Sequence, residues 1–230
     1  MIKFFAKTIS LLFHPLLVLT YILLVLILVD PYSFGANGLG SFNSRVLILR
    51  VFLSTFFIPM MAILMLYFLG MVRSLQLDEA LDRTGPYIIT GIFYLWLSRN
   101  FWDSTITPTI FTCFMLAATI ALFLAFVINI FSKISIHAVG MGAIISMLLL
   151  TMLLSEYQVF SLQLPFLGTF QISLILVLLL GIVLAGIVGS ARLYLQQHEH
   201  NDIYGGYLVG LLSPFVALQV MVFFGKMQVM

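Results

Sequence analysis

Arg192, His198 and Asp202 stand at spacings that suit the handling of an anion, and they do so between two long apolar runs. A guanidinium offers a planar fork that grips a phosphate or carboxylate at two points. A histidine whose ring is held by a carboxylate keeps one tautomer and leaves its other nitrogen free to attack or to take a proton. On a helix, positions four apart share a face, so Asp202 is placed to hold His198. If an apolar helix begins at this stretch, its free amides add a further attraction for an anion. The competing reading is a polar loop whose Arg, His and Asp merely rest among lipid headgroups. His200 is an alternative nucleophile, but neither an arginine nor an aspartate stands at the matching distance from it.

Two shorter groups offer related chemistry. Ser135-Ile136-His137, with Lys133 just before it, sets a hydroxyl beside an imidazole. The hydroxyl can hold a phosphate oxygen while the imidazole protonates a leaving alkoxide; equally, Ser135 can be a helix N-cap and His137 an interfacial residue. In Asp82-Arg83-Thr84-Gly85-Pro86, Arg83 can bind an anion or pair with Asp78, Glu79 or Asp82.

The elements that must position these residues are dictated by composition. The 230 residues are 63% hydrophobic and only 8% charged, with a mean hydropathy of +1.20, which excludes a soluble domain. Several runs reach the roughly 20 apolar residues that carry a helix across a bilayer. They lack the alternation of a barrel strand, so the expected fold is all-α, a polytopic transmembrane helical bundle of six or seven spans. The chain reads as one integral membrane domain over 1–230. Spans are expected at 8–29, 46–72, 86–102, 108–131, 138–154, 166–190 and 203–225. The basic start of the chain loosely resembles a signal peptide, but no small-residue cleavage site follows, and it is read as a retained first span. His14-Pro15 and Pro59 are expected to kink their helices. Gly140, Gly142, Gly181, Ala185, Gly186 and Gly189 are expected at helix contacts. A net charge of +2 gives no footing for nucleic acid, and the single cysteine, Cys113, cannot form an internal disulfide. His14 is expected to be a hydrogen-bonded packing residue, with a place lining the site as the alternative, and Arg50 and Asn129 are expected to snorkel or to bond across helices.

Threading seven spans puts the N-terminus and the stretches 73–85, 132–137 and 192–202 on one face. His137, His198 and His200 therefore share a side with Arg83 and Arg192. That face carries six Lys and Arg against four on the other. By the positive-inside rule it would be cytoplasmic, but if Arg83 and Arg192 serve a ligand the count becomes even.

In this order, Arg, then Ser-x-His, then Arg-x5-His-x3-Asp, the chain resembles the type 2 phosphatidic acid phosphatase family, the membrane branch of the acid phosphatase and vanadium haloperoxidase superfamily. The resemblance covers about 76–210. The family's third signature, Ser-Arg-x5-His-x3-Asp, is matched at Arg192, His198 and Asp202, with Ala191 in place of the serine and Gly206 four residues on. Of the second, Pro-Ser-Gly-His, Ser135 and His137 are present, while Ile134 and Ile136 replace proline and glycine. Of the first, Lys-x6-Arg-Pro, Arg83 is present, but Gln76 stands at the lysine and Thr84 at the proline; Arg73 or Lys133 are the cations that can substitute.

The resemblance implies a lipid-phosphate phosphatase acting on a phosphomonoester or diphosphate. His198 would form a phosphohistidine and Asp202 would orient it. Arg83, Ser135 and Arg192 would bind phosphoryl oxygens, and His137 would protonate the leaving group, with no metal or cofactor. It also implies a site facing away from the cytoplasm, in a bacterial inner membrane. Two rivals stand beside it. One is a catalytically silent relative that binds a lipid phosphate. The other is a small proton-coupled transporter, which needs ionisable groups near mid-bilayer, whereas these lie at helix ends.

Overall fold

Proline and glycine decide where the helices of this chain break and where they touch. The computed structural model describes residues 1–34, 38–74, 79–164 and 168–227; Gln76 and Asp78 lie outside the described residues. The first span is two pieces, α1 (Ile2–Leu12) and α2 (Val18–Val29), joined through His14 and a single tight turn at Pro15–Leu17. The second also changes pitch: α3 (Phe42–Phe52) passes through a wide π turn at Leu53–Phe57 into α4 (Ile58–Phe68). That wide turn immediately precedes Pro59, which has no N–H to give. Then come α5 (Ala80–Trp102), α6 (Thr109–Phe131), α7 (Ile136–Leu154), α8 (Leu174–Tyr194) and α9 (His200–Phe223).

Among the described residues, six helical units are long and apolar enough to cross a membrane: Ile2–Val29, Phe42–Phe68, α6, α7, α8 and α9. The protein is an all-α membrane bundle. The seventh helix, α5, is 23 residues long but carries Asp82, Arg83 and Arg99, and it runs beside α6 from one end of the bundle to the other. Its Ile88, Ile92, Leu95 and Trp96 face outward at helical spacing, as lipid-facing residues must.

Two expected boundaries are corrected. The helix that holds the third expected span begins at Ala80 rather than at Pro86, because a proline inside a helix withdraws only the bond to the carbonyl four residues back, here that of Asp82. The sixth does not begin at 166. The stretch Gly168–Ser173 is a strand, β2, paired antiparallel with β1 (Val159–Leu164) in a hairpin running from Val159↔Ser173 to Leu164↔Gly168. Alternation of polar and apolar side chains in Thr169-Phe170-Gln171-Ile172 is the strand period, and α8 starts only after it.

Lipid tails are as apolar as leucine, so helices in a bilayer associate through close packing and interhelical hydrogen bonds. The tightest contact joins α7 and α9. A methyl group added to Gly142 would lie 2.6 Å from the Tyr207 carbonyl oxygen, one on Gly206 2.7 Å from that of Ser135, and one on Gly210 2.1 Å from that of Val139. The two backbones therefore touch, and since 135 meets 206 and 142 meets 211, the helices run parallel. Pro214 leaves the Gly210 carbonyl without a helical donor, and the buried Ser146 hydroxyl of α7 donates to it at 3.5 Å. Elsewhere Ser98 of α5 bonds Thr119 of α6 at 2.8 Å, and Tyr207 of α9 donates to the Ala185 carbonyl of α8.

These contacts sort the helix ends. The starts of α5, α7 and α9 and the ends of α6 and α8 gather at one end of the bundle, tied by Arg83 to Asn129 at 3.3 Å and by the Ser135 amide to the Asp202 carbonyl at 3.1 Å. At the other end Asp103 pairs with Arg99 and, at 3.4 Å, with Lys226.

Candidate active site

Helix α8 ends in a turn that delivers the histidine motif. Gln197 N–H donates to the Arg192 carbonyl and Gln196 N–H to that of Leu193, with Gln196 at φ 54. This is the reversal that usually takes glycine at its left-handed position, and the side chain there costs about 1 kcal/mol. It turns the chain sharply, so that Arg192 in the last turn of α8 and His198 before α9 fall on the same site.

His198 Nδ1 lies 3.2 Å from Asp202 Oδ2, with the two side chains 6% and 12% exposed. The expectation was a contact between neighbours on a helix face. It is made differently: α9 begins only at His200, and Asp202 reaches back past the helix start. The same Oδ2 accepts the Glu199 amide at 3.1 Å, while the Glu199 carboxylate accepts an amide of the first turn. This reciprocal cap takes up one first-turn amide, that of Asp202, from those expected to attract an anion. A carboxylate can only accept, so it fixes the proton on Nδ1 and leaves Nε2 bare. Burial, aided by the charges of Arg192, Arg83 and Lys133, pushes the His198 pKa down to about 4, although Asp202 pulls the other way. The ring is neutral at neutral pH.

His137 is held by a different device. Its Nε2 lies 3.0 Å from the Ser10 carbonyl, across 127 residues of sequence. The His14 ring stands edge-on to it, with centroids 5.7 Å apart. His137 is within electrostatic reach of His198, and the charge of Arg192 acts on His14, His137 and His198 alike. Ser135 is the N-cap of α7: its buried hydroxyl accepts the Ala138 amide at 3.5 Å, which leaves its own proton to donate.

The cations divide by depth. Arg83 is buried against Asn129, at 7% and 3% exposure. Lys133 lies at the rim, lining a cavity of about 870 Å³ with Gln196, Gln197, His198, His200 and Asn201. Of the two cations able to replace the lysine missing at Gln76, Arg73 is paired with Glu79 at 2.7 Å, whereas the charge of Lys133 bears on His198. His200 is exposed beside Tyr204 and, among the described residues, pairs with no carboxylate.

Arg83, Ser135, His137, Arg192, His198 and Asp202 thus meet at one end of the bundle. Ser10 carried no signal in the sequence; His14, for which packing was preferred over a place lining the site, stands against His137, and Asn129 bonds across helices as one of its two expected readings had it. Comparison of the chain with protein-family models, with curated proteins and with solved structures finds no match, so its function is argued from how these side chains are disposed.

Proposed function

We propose that the protein is an integral membrane lipid-phosphate phosphatase, a divergent relative of the type 2 phosphatidic acid phosphatases, acting on a phosphomonoester or diphosphate through a phosphohistidine. The observation that carries this reading is the neutral, carboxylate-held His198 ring among the charges of Arg83, Lys133 and Arg192. A base with a free nitrogen would be idle among cations unless an anion came to them. In the first step His198 Nε2 attacks phosphorus and the bond to the lipid oxygen breaks. His137, which must enter this step protonated, gives that oxygen its proton. Water then attacks the phosphohistidine and returns a proton to His137. Arg83, Arg192, Lys133 and the Ser135 hydroxyl stabilise the charge that builds on the phosphoryl oxygens. The headgroup enters by the surface cavity, which Lys133, His198 and Asp202 line, and reaches past it to Arg83, Arg192 and Ser135, while the tails stay in the bilayer. The proposed setting is a bacterial inner membrane with the site on the non-cytoplasmic face, an orientation taken from the family resemblance.

Purified protein is tested on phosphatidate, phosphatidylglycerol phosphate and a polyprenyl diphosphate for released phosphate. Release from none of them sinks the enzymatic reading. A second reading is a lipid-phosphate binder without turnover, favoured by Ile136 and Gln76 at the positions of the family's glycine and lysine; binding without release would select it.

Two results are expected within the first reading. Asp202→Asn lowers turnover by roughly 10²-fold or more through loss of tautomer control. One amide oxygen cannot reproduce the charge that serves both His198 and the Glu199 amide. Turnover also depends on pH with a definite sign. The depressed pKa keeps His198 of the free protein neutral well below 6.5, so kcat/KM loses nothing to protonation of His198 until the pH approaches about 4. Lys133→Ala removes a charge that opposes protonation, and the acid limb of the kcat/KM profile moves up toward 6.5.

A further inference from the structure

We infer that the break in the first span is an orienting device for His137, the counterpart of what Asp202 does for His198, with His14 and Pro15 as positioning residues. The inference rests on the phosphatase reading for its catalytic consequence, but its geometry stands alone.

In an unbroken helix the Ser10 carbonyl would accept the residue-14 amide, that of Leu11 the residue-15 amide, and that of Leu12 the residue-16 amide. Pro15 has no amide to give. The His14 amide turns instead to the Leu11 carbonyl at 3.3 Å. The Leu16 amide turns to His14 Nδ1 at 3.4 Å. Three carbonyls lose their helical donors, those of Ser10, Leu12 and Phe13, the last because the Leu17 amide turns to the His14 carbonyl at 2.9 Å. Two of them are taken by side chains: Tyr21 donates to Leu12 at 2.6 Å, and His137 Nε2 reaches Ser10 at 3.0 Å. One of the side chains that take up the released carbonyls is the acid–base histidine.

The consequence is chemical. A carbonyl only accepts, so the proton of neutral His137 sits on Nε2, and Nδ1 is the nitrogen left to exchange protons with a ligand. The break is also seated firmly. A methyl group on Gly140, three residues beyond His137, would meet Val18 Cγ2 at 3.0 Å and Pro15 Cα at 3.4 Å. The His14 ring, pinned through Nδ1, lies edge-on to the His137 ring and limits its rotation.

The test compares wild type with Pro15→Ala, with the double variant His14→Ala/Pro15→Ala, which favours an unbroken helix, and with His14→Asn, which keeps a cap acceptor and the proline. Nitrogen NMR of 15N-histidine-labelled protein in detergent micelles, with His137 assigned by its loss in His137→Gln, reports which ring nitrogen carries the proton. Wild type and His14→Asn are expected to show His137 protonated on Nε2; the double variant is expected to lose that preference, and Pro15→Ala to weaken it. Phosphate release should fall in parallel by about 10- to 100-fold in kcat with KM unchanged. A proton on Nδ1 in wild type, or an unaltered His137 tautomer in the double variant, overturns the inference. If wild type releases no phosphate from any lipid, the phosphatase reading falls while the spectra still decide the orienting role.

Discussion

Replacing His198 with alanine is expected to abolish phosphate release, by roughly 10⁴-fold or more, since removing a nucleophile removes the covalent route itself. The fold should survive the change. His198 precedes α9, and the reciprocal cap between Glu199 and Asp202 that starts the helix does not involve its ring. Alanine does free Asp202 Oδ2 of one of its two donors, but the Glu199 amide at 3.1 Å remains. The variant is therefore expected to purify as wild type does and to bind a lipid phosphate, because Arg83, Lys133 and Arg192 are untouched. The decisive measurements are the rate of phosphate release and the trapping of acid-labile phosphate on the protein. Wild type should carry that label during turnover and the variant should not. Activity near the wild-type rate in His198→Ala would end the phosphohistidine proposal, and labelled variant protein would move the nucleophile elsewhere.

The clustering of this site was legible from spacing because Arg192, His198 and Asp202 sit within a single turn of chain, and short-range geometry is what a sequence encodes directly. Even there the reason was only half right. A helical four-residue interval suggested the contact, but Asp202 makes it by reaching back over the start of α9. Bringing Arg83 and Ser135-x-His137 to the same end followed from counting apolar runs, since each crossing reverses the chain. What holds His137 could not be read. Its partner is a backbone carbonyl 127 residues away, and a carbonyl belongs to every residue, so no side-chain pattern points to Ser10. The only trace was His14-Pro15 in an apolar run, and a histidine there is ordinarily a packing residue. Glycines show the same limit. Gly142 and Gly189 were expected at helix contacts, and both carry contacts that a methyl would violate, yet Gly186, expected alongside them, faces open space. Composition marks which residues permit close approach, while the phase of the helix decides which of them are used.

Gly210→Ala is the second change expected to act strongly, and it tests whether the α7–α9 contact sets the site. The added carbon would fall 2.1 Å from the Val139 carbonyl oxygen and 2.7 Å from the Ala143 amide nitrogen. Both are backbone atoms inside a helix and cannot swing aside as a side-chain tip would, so the two helices must part. Overpacking of this kind costs about 1–3 kcal/mol, and occasionally more. Separation also weakens the bond from Ser146 to the Gly210 carbonyl, which is already long at 3.5 Å. One end of this pair is the site itself, since Gly206 lies against the Ser135 carbonyl and the Ser135 amide holds the Asp202 carbonyl at 3.1 Å. Parting α7 from α9 therefore draws His137 away from His198, and turnover should fall further than stability alone accounts for. Gly205→Ala is the matched control. A methyl there meets nothing within 4 Å, and alanine is the better helix former by about 1 kcal/mol, so its melting temperature in detergent should match or exceed that of wild type. If Gly210→Ala melts and turns over as Gly205→Ala does, the helices can yield to a methyl without disturbing the site. The distance between the two histidines would then have to be set by something other than this backbone contact.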